Sequence, residues 1–278
     1  MRRLAINRLA LRSRLLVGYK LLIMKKSLCL LGFLFLNSLA SFSHAQPLTV
    51  AVASNLKPAF EEIFKGFKQT QPQAASIRIV YGSSGNLASQ MKQGAPYDLF
   101  ISADESYPLR LVEAGLTRDR GVVYAAGHLA LITNSAAGLN LSSDPESIKT
   151  LLRNSKKISI ANPDLAPYGR ASVQYLQAMK LWDEVQGRLI FAENISIATV
   201  YVSTGALKVG ITALSLAKSS ELSSTIQYIV LPDDLYAPIL QRMVLKRDPP
   251  PTAVALYDYL QGTVAKQILI KNGYSIPR

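Results

Sequence analysis

The sequence has few of the side chains that bind metals or attack substrates. Its 278 residues include one cysteine, Cys29, and two histidines, His44 and His128. Cys29 lies in an apolar stretch near the N-terminus, so the chain after residue 45 can form neither a disulfide nor a thiolate metal site. His128 has no evident serine or aspartate partner, and neither an H-E-x-x-H motif nor P-loop spacing occurs. These absences predict a protein that is not an enzyme, has no catalytic residues and needs no cofactor.

Acidic residues are absent from the first 45 positions, which hold eight Lys or Arg. Within this stretch Lys25-Lys26 precedes an apolar run over residues 28–36, and Ser43-His44-Ala45 follows. A basic segment, an apolar segment and a small-x-small site are typical of a secretory signal peptide. The run is shorter than the roughly 20 apolar residues that span a membrane. We therefore predict that residues 1–45 are removed, with cleavage after Ala45, and that the mature protein is periplasmic.

Long basic clusters are also absent. Without residues 1–45 the chain keeps 23 basic and 18 acidic residues, so the net charge falls from +13 to +5. The longest basic clusters that remain are Lys156-Lys157 and Lys246-Arg247. Nucleic-acid binding needs a basic stripe with interleaved aromatic residues. The composition therefore excludes a nucleic-acid partner.

The order of periodicities in the mature chain indicates an α/β fold. Short β-rich runs at residues 48–52, 77–81 and 98–102 alternate with helical patterns, of which Phe60, Ile63, Phe64 and Phe67 form the clearest seam. Such alternation predicts mainly parallel sheets flanked by helices.

The alternation starts again near Gly127 and returns to the first unit near residue 239. Predicted strands at 129–133, 158–161, 189–191 and 209–212 are separated by helices at 147–152, 170–180 and 197–203. Two further helical patterns cover 253–260 and 264–272. We predict two lobes joined by crossover strands, lobe 1 comprising residues 46–127 plus 239–278 and lobe 2 residues 128–238.

Four short segments occupy the points where a predicted strand gives way to a helix. They are Ala53-Ser54-Asn55-Leu56, Gly82-Ser83-Ser84-Gly85-Asn86, Ala166-Pro167-Tyr168-Gly169 and Glu193-Asn194-Ile195-Ser196. A helix start offers unpaired N–H groups and the positive end of the helix dipole, and therefore favours an anion. Two segments come from each predicted lobe, so lobe closure would bring all four around one ligand.

Taken singly, most of these segments fit ordinary helix capping. Ser54, Asn55 and Ser84 are of the residue types that cap helices. Tyr168 is unusual for a cap and fits either a pocket wall or a tyrosine packed between lobes. At Ile195 only the backbone N–H could serve. The distribution of the segments therefore carries more weight than any one residue.

Together these segments resemble the periplasmic molybdate-binding proteins of ATP-binding-cassette importers. The resemblance covers essentially the whole mature region and includes residues 94–104, Gly-Ala-Pro-Tyr-Asp-Leu-Phe-Ile-Ser-Ala-Asp. It implies the type II periplasmic-binding-protein fold with two lobes. It also implies a monomer that captures molybdate, and tungstate as well, and delivers it to an inner-membrane permease.

The resemblance further implies which residues hold the oxyanion. They are Ser54, Asn55, Ser84, Tyr168 and Ile195, the last two chiefly through backbone N–H groups, and no side chain is a direct metal ligand. Some family members add a tyrosine hydroxyl from a later strand, where this chain has Ala213. Tyr168 is expected to compensate in part, and the sequence leaves open whether its hydroxyl faces the ligand.

Three alternatives remain at this point. A binding protein for sulfate or another oxyanion would share the same donors. A ferric-ion binder would need Tyr, His and carboxylate ligands that the matched positions lack. An oxyanion-sensing regulatory module would share the two-lobed fold, but the leader and the lack of a helix-turn-helix segment argue against it.

Overall fold

Strands and helices alternate along the chain in the computed structural model, which describes residues 48–71 and 76–277. The predicted signal peptide and its cleavage site lie outside these residues. The described residues belong to one compact unit that runs from Pro47 to Arg278. Within them, no helix is both long and apolar enough to cross a membrane.

The first sheet has five strands in the order β2-β1-β3-β10-β4. β1 is parallel to both β2 and β3, whereas β10 is antiparallel to its neighbours β3 and β4. Four strands therefore run in one direction and β10 in the other. The strands are β1 (Thr49–Ala53), β2 (Arg78–Gly82), β3 (Leu99–Ile101), β4 (Val122–Gly127) and β10 (Ile239–Leu245).

The second sheet repeats this pattern in the order β7-β6-β8-β5-β9. β6 is parallel to β7 and β8, and β5 is antiparallel to β8 and β9. The reversed strand again holds the fourth place. The strands are β5 (Leu129–Asn134), β6 (Ile158–Ala161), β7 (Leu189–Ala192), β8 (Val209–Ala213) and β9 (Ile226–Val230).

Ten α-helices are found in the described residues. Those that follow strands of the first sheet or close the chain are α1 (Lys57–Thr70), α2 (Ser84–Lys92), α3 (Ser106–Glu113), α9 (Pro251–Gln261) and α10 (Thr263–Lys271). Those between strands of the second sheet are α4 (Pro145–Asn154), α5 (Pro167–Ala178), α6 (Trp182–Val185), α7 (Ile195–Ser203) and α8 (Leu214–Ala217). The predicted α/β class is therefore confirmed.

Each sheet has its own hydrophobic core. The helical seam predicted in α1 is buried, and the Phe60 and Phe64 rings stack at 5.8 Å between centroids against the first sheet. Tyr175 and Leu176 of α5 are fully buried against the second sheet. Burial of an apolar stripe is what makes these helices stable in water.

The chain passes between the sheets twice. β4 ends at Gly127 and β5 begins at Leu129, and β9 ends at Val230 before β10 begins at Ile239. β4 and β10 pair with each other, so both passages lie side by side. The division of the chain into lobes at these points stays a prediction. The structure also contains β4, β9 and β10, whose bounds the sequence pattern did not give.

Candidate functional site

The five predicted oxyanion-binding residues meet at one small cavity. Each is almost completely buried, with 5% of Ser54, 1% of Asn55, Ser84 and Tyr168, and 2% of Ile195 exposed. The empty space amounts to about 180 Å³, part of it open to solvent. Its lining is Ala53, Ser54, Asn55, Gly82, Ser83, Ser84, Ala103, Ala166, Pro167, Tyr168 and Ile195.

The cavity lies at the carboxyl ends of two adjacent parallel strands from each sheet. Ser54 follows β1, Ser84 follows β2, Tyr168 follows β6 and Ile195 follows β7. Ser54 and Asn55 lie in a short 3₁₀ helix, and the other three residues lie in the first turn of an α-helix. The first N–H groups of a helix have no partner within that helix. The backbone therefore aims donors at the cavity from four directions.

Capping is performed by neighbours of the site residues and not by the residues themselves. The Ser83 hydroxyl accepts a hydrogen bond from Asn86 N, and Asn194 Oδ1 accepts one from Ile197 N. The interpretation that Ser84 caps α2 is therefore wrong. The start of α1 has no side-chain cap, so capping does not explain Ser54 or Asn55 either.

Two hydroxyl groups are left with a proton to donate. Ser84 Oγ accepts a hydrogen bond from Ala103 N at 2.9 Å, which orients it and leaves its own hydrogen available. Ser54 Oγ makes no hydrogen bond to any residue that the structure describes, although its carbonyl oxygen accepts one from Ser196 Oγ. Both hydroxyls belong to the half of the site that the first sheet supports.

Asn55 contributes through its backbone, because its side chain is already bonded elsewhere. Asn55 Nδ2 donates to Gln241 Oε1 at 3.1 Å and to Tyr274 Oη at 2.9 Å. Asn55 Oδ1 is buried and has no partner among the described residues. An acceptor oxygen cannot donate a hydrogen bond to an oxyanion. The backbone N–H is therefore the only group of Asn55 that can bind the anion.

The Tyr168 hydroxyl is bonded within the protein. Its oxygen accepts a hydrogen bond from Gln241 Nε2 at 3.0 Å, close to the Gly127 backbone. Burial raises the pKa of Tyr168 well above its usual value, so the group is neutral. The structure thus favours a tyrosine packed between the crossover strands and the site, with its N–H left for the ligand. Ala213 is not part of the cavity lining.

Among the residues that the structure describes, no charged side chain lines the cavity. An ion pair joins Arg170 to Asp104, which follows the lining residue Ala103 in sequence. In the part of the chain that the structure describes, no group of His, Cys, Asp or Glu side chains could hold a metal ion. The cavity therefore offers neutral hydrogen-bond donors and neither a countercharge nor a metal ligand.

His128 has partners that the sequence did not show. Its Nδ1 lies 2.8 Å from an Asp233 carboxylate oxygen and its Nε2 lies 2.7 Å from Ser275 Oγ, so the expectation of no such partner is wrong. The arrangement matches a hydrolytic triad. Acyl transfer also needs N–H donors for an oxyanion, and the Ser275 N–H already donates to the Ala126 carbonyl at 2.9 Å. These three side chains instead join both passages between the sheets to the C-terminal segment, His128 from the first passage and Asp233 from the second.

A polar cluster beneath the site was also missed. Asn55, Tyr124, Tyr168, Gln241 and Tyr274 are joined by buried hydrogen bonds. The one available signal was a glutamine within the otherwise apolar start of β10. Its partners are 73 to 186 positions away in sequence, so no local pattern could identify them.

Comparison with known families agrees with this geometry. The family model described as bacterial extracellular solute-binding protein matches residues 48–275. The chain belongs to this family. It is therefore a binding protein and not an enzyme, as its composition predicted.

Several relatives and one solved structure that resemble this chain have names that state their ligand. The solute-binding protein is 32% identical over 243 residues to the molybdate-binding protein ModA of Azotobacter vinelandii, covering 86% of this chain and 93% of the relative. It is also 32% identical over 233 residues to ModA of Rhodobacter capsulatus, covering 83% and 88%. The solved periplasmic molybdate-binding protein of Azotobacter vinelandii superimposes with a TM-score of 0.76 at 28% identity, over 83% of this chain and 100% of that one. The resemblance predicted from the motifs is confirmed.

Proposed function

We propose that this solute-binding protein captures molybdate, and tungstate with it, and delivers the anion to an inner-membrane permease of the ATP-binding-cassette class. The observation that carries the proposal is the convergence of four helix starts on one buried cavity, which has no charged side chain among its described lining residues. The names of its relatives point to the same ligand.

The donor set suits a fully deprotonated tetrahedral anion. Five backbone N–H groups, at Ser54, Asn55, Ser84, Tyr168 and Ile195, are joined by the hydroxyls of Ser54 and Ser84. Each hydrogen bond to a charged group contributes about 1.5–3 kcal/mol. Such a set supports tight binding after the costs of desolvation and closure.

Lobe closure is part of the proposal. Hydrogen bonds join the two proposed lobes on both sides of the cavity: Ser196 Oγ donates to the Ser54 carbonyl at 2.9 Å, and Gly85 N donates to the Leu165 carbonyl at 2.9 Å. Opening would break these bonds and separate Ser54 and Ser84 from Tyr168 and Ile195. The lobes would be residues 46–127 plus 239–278 and residues 128–238, as the sequence predicted.

Selectivity follows from protonation and size. Hydrogenphosphate would bring a proton, and no carboxylate among the described residues lines the cavity to accept it, which disfavours hydrogenphosphate. Sulfate carries no proton and must be rejected because its shorter bonds to oxygen leave some donors out of reach. Molybdate and tungstate are nearly equal in size and are expected to bind alike.

Isothermal titration with molybdate, tungstate, sulfate and phosphate tests the proposal. We expect tight binding of the first two and at least tenfold weaker binding of sulfate, a difference of about 1.4 kcal/mol. Equal affinity for sulfate would replace the proposal with a general oxyanion binder. If none of the four anions binds, the oxyanion function is contradicted.

Export and monomeric state complete the proposed function. The leader at residues 1–45 would direct the chain to the periplasm, with cleavage after Ala45. N-terminal sequencing of the protein from a periplasmic extract should begin at Gln46, and its mass in solution should be that of one chain. A full-length cytoplasmic protein would instead support the sensing module.

A further inference from the structure

Gln241 contacts both halves of the candidate site from below. Its Oε1 accepts hydrogen bonds from Asn55 Nδ2 at 3.1 Å and from Tyr124 Oη at 2.8 Å, and its Nε2 donates to Tyr168 Oη at 3.0 Å. Asn55 belongs to the helix start after β1, and Tyr168 to the helix start after β6. Gln241 is completely buried, so water does not compete for these bonds.

Local backbone geometry brings the Gln241 side chain to this position. The pairing of β10 with β4 shifts register between Gln241 and Arg242, so Tyr124 of β4 is the extra residue of a bulge beside Gln241, and its hydroxyl donates to Gln241 Oε1. Gly127 of β4 lies opposite Ile239, and a Cβ added to Gly127 would lie 2.0 Å from Tyr168 Oη and 2.6 Å from Gln241 Nε2. Only glycine at position 127 leaves room for the Tyr168–Gln241 hydrogen bond.

The chemistry of the site selects an amide at this position. Asn55 Nδ2 can only donate, and Gln241 Oε1 accepts its hydrogen bond. Gln241 Nε2 donates in turn to the Tyr168 hydroxyl oxygen. A leucine of similar volume would remove one hydrogen bond each from Asn55 Nδ2, Tyr124 Oη and Tyr168 Oη, and the loss of buried hydrogen bonds is destabilising. An aspartate or glutamate would add a negative charge beneath an anion site.

We propose that Gln241 is a positioning residue that couples the two halves of the oxyanion site. It fixes the Asn55 and Tyr168 helix starts relative to each other, and so aligns their N–H groups on one anion. Because Tyr168 belongs to the other proposed lobe, the Gln241–Tyr168 bond joins the two proposed lobes. The proposal rests on the proposed function for its ligand, but its structural part can be measured without any ligand.

The test compares Gln241→Leu and Tyr168→Phe with a matched control, Gln261→Leu, at a partly buried glutamine of α9 away from the site. Amide hydrogen exchange of the ligand-free proteins is followed at residues 54–60 and 167–173. We expect Gln241→Leu to accelerate exchange in both segments. Tyr168→Phe, which removes one oxygen from the second half, should accelerate exchange at residues 54–60 in the first half. The control should change neither.

Titration with molybdate supplies the second measurement. We expect Gln241→Leu to weaken binding by about tenfold or more, and the double variant with Tyr168→Phe to be little weaker than Gln241→Leu alone, because both remove one shared interaction. Wild-type exchange at residues 54–60 in both variants would overturn the coupling, as would unchanged affinity of a folded Gln241→Leu protein. If the wild type fails to bind molybdate, the proposed function falls, and the exchange result still decides the role of Gln241. If Gln241→Leu does not fold, Tyr168→Phe alone decides it.

Discussion

Both halves of the candidate site offer neutral hydrogen-bond donors, but the first half adds side-chain hydroxyls to its backbone N–H groups and the second half does not. The half on the first sheet places two hydroxyls, those of Ser54 and Ser84, at the cavity. The half on the second sheet offers only backbone, because the Tyr168 hydroxyl is bonded to Gln241 and Ile195 has no polar side chain. Side-chain identity therefore matters in the first half, and backbone position matters in the second.

The largest difference between the halves is expected when a methyl group is added beside the backbone of each. A Cβ at Gly169, beside Tyr168, would lie 2.3 Å from the Ala161 carbonyl oxygen, whereas one at Gly82, beside Ser83, would lie 3.2 Å from the flexible Leu87 side chain. We expect Gly169→Ala to lower the free energy of unfolding by about 3 kcal/mol and Gly82→Ala by less than about 1 kcal/mol. Urea denaturation of both variants measures this. Equal losses would mean that the second half is no more rigid than the first.

Substitution of one residue in each half should also affect molybdate binding differently. Ser84→Ala is expected to weaken molybdate binding by about 1.5–3 kcal/mol, the contribution of a hydrogen bond to a charged group. Ile195→Val keeps the N–H group and should therefore change binding much less than Ser84→Ala does. Ser89→Ala, at an exposed position of the same helix α2, is the control. Titration that finds Ser84→Ala equal to Ser89→Ala would remove the Ser84 hydroxyl from the site.

These contrasts explain what the sequence could predict. The points where predicted strands give way to helices indicated all four segments of the site. Residue type alone did not distinguish Ser54 or Ser84 from ordinary caps, and a backbone donor leaves no trace in residue type. The family resemblance therefore supplied the individual residues. The role of Gln241 could not be predicted from the sequence, because its hydrogen bonds depend on a bulge and on the close approach of Gly127, which are features of the folded chain. The fold class followed from alternation alone, whereas the reversed strands β5 and β10 needed the pairing pattern.

High pH should probe the cluster beneath both halves. Burial raises the pKa of Tyr124 and of Tyr168 well above the usual value of a tyrosine. The folded protein then keeps protons that the unfolded chain loses near pH 10, so the stabilisation is complete below about pH 10 and is lost as the pH rises further. Urea denaturation at pH 8 to 11 should show falling stability with a smaller slope in Tyr124→Phe. Molybdate affinity should stay constant from about pH 6 to 9, since Tyr168, the only titratable residue among the described residues that line the cavity, keeps its proton in this range.

The smallest effect is expected at the rim, where the halves meet in solvent. Asn86 Nδ2 of α2 donates to Glu193 Oε1, just before α7, at 2.9 Å, and this contact is exposed. Exposed polar contacts contribute about 0–1 kcal/mol. Glu193→Gln keeps an acceptor oxygen and removes a negative charge near an anion site, so we expect equal or slightly faster association of molybdate and at most a fewfold change in its dissociation rate. Stopped-flow kinetics measures both, with Glu146→Gln on α4 as an exposed control away from the cavity. A large loss of affinity in Glu193→Gln would show that the two halves depend on a side chain at the rim, and the division between side-chain and backbone donors would no longer hold.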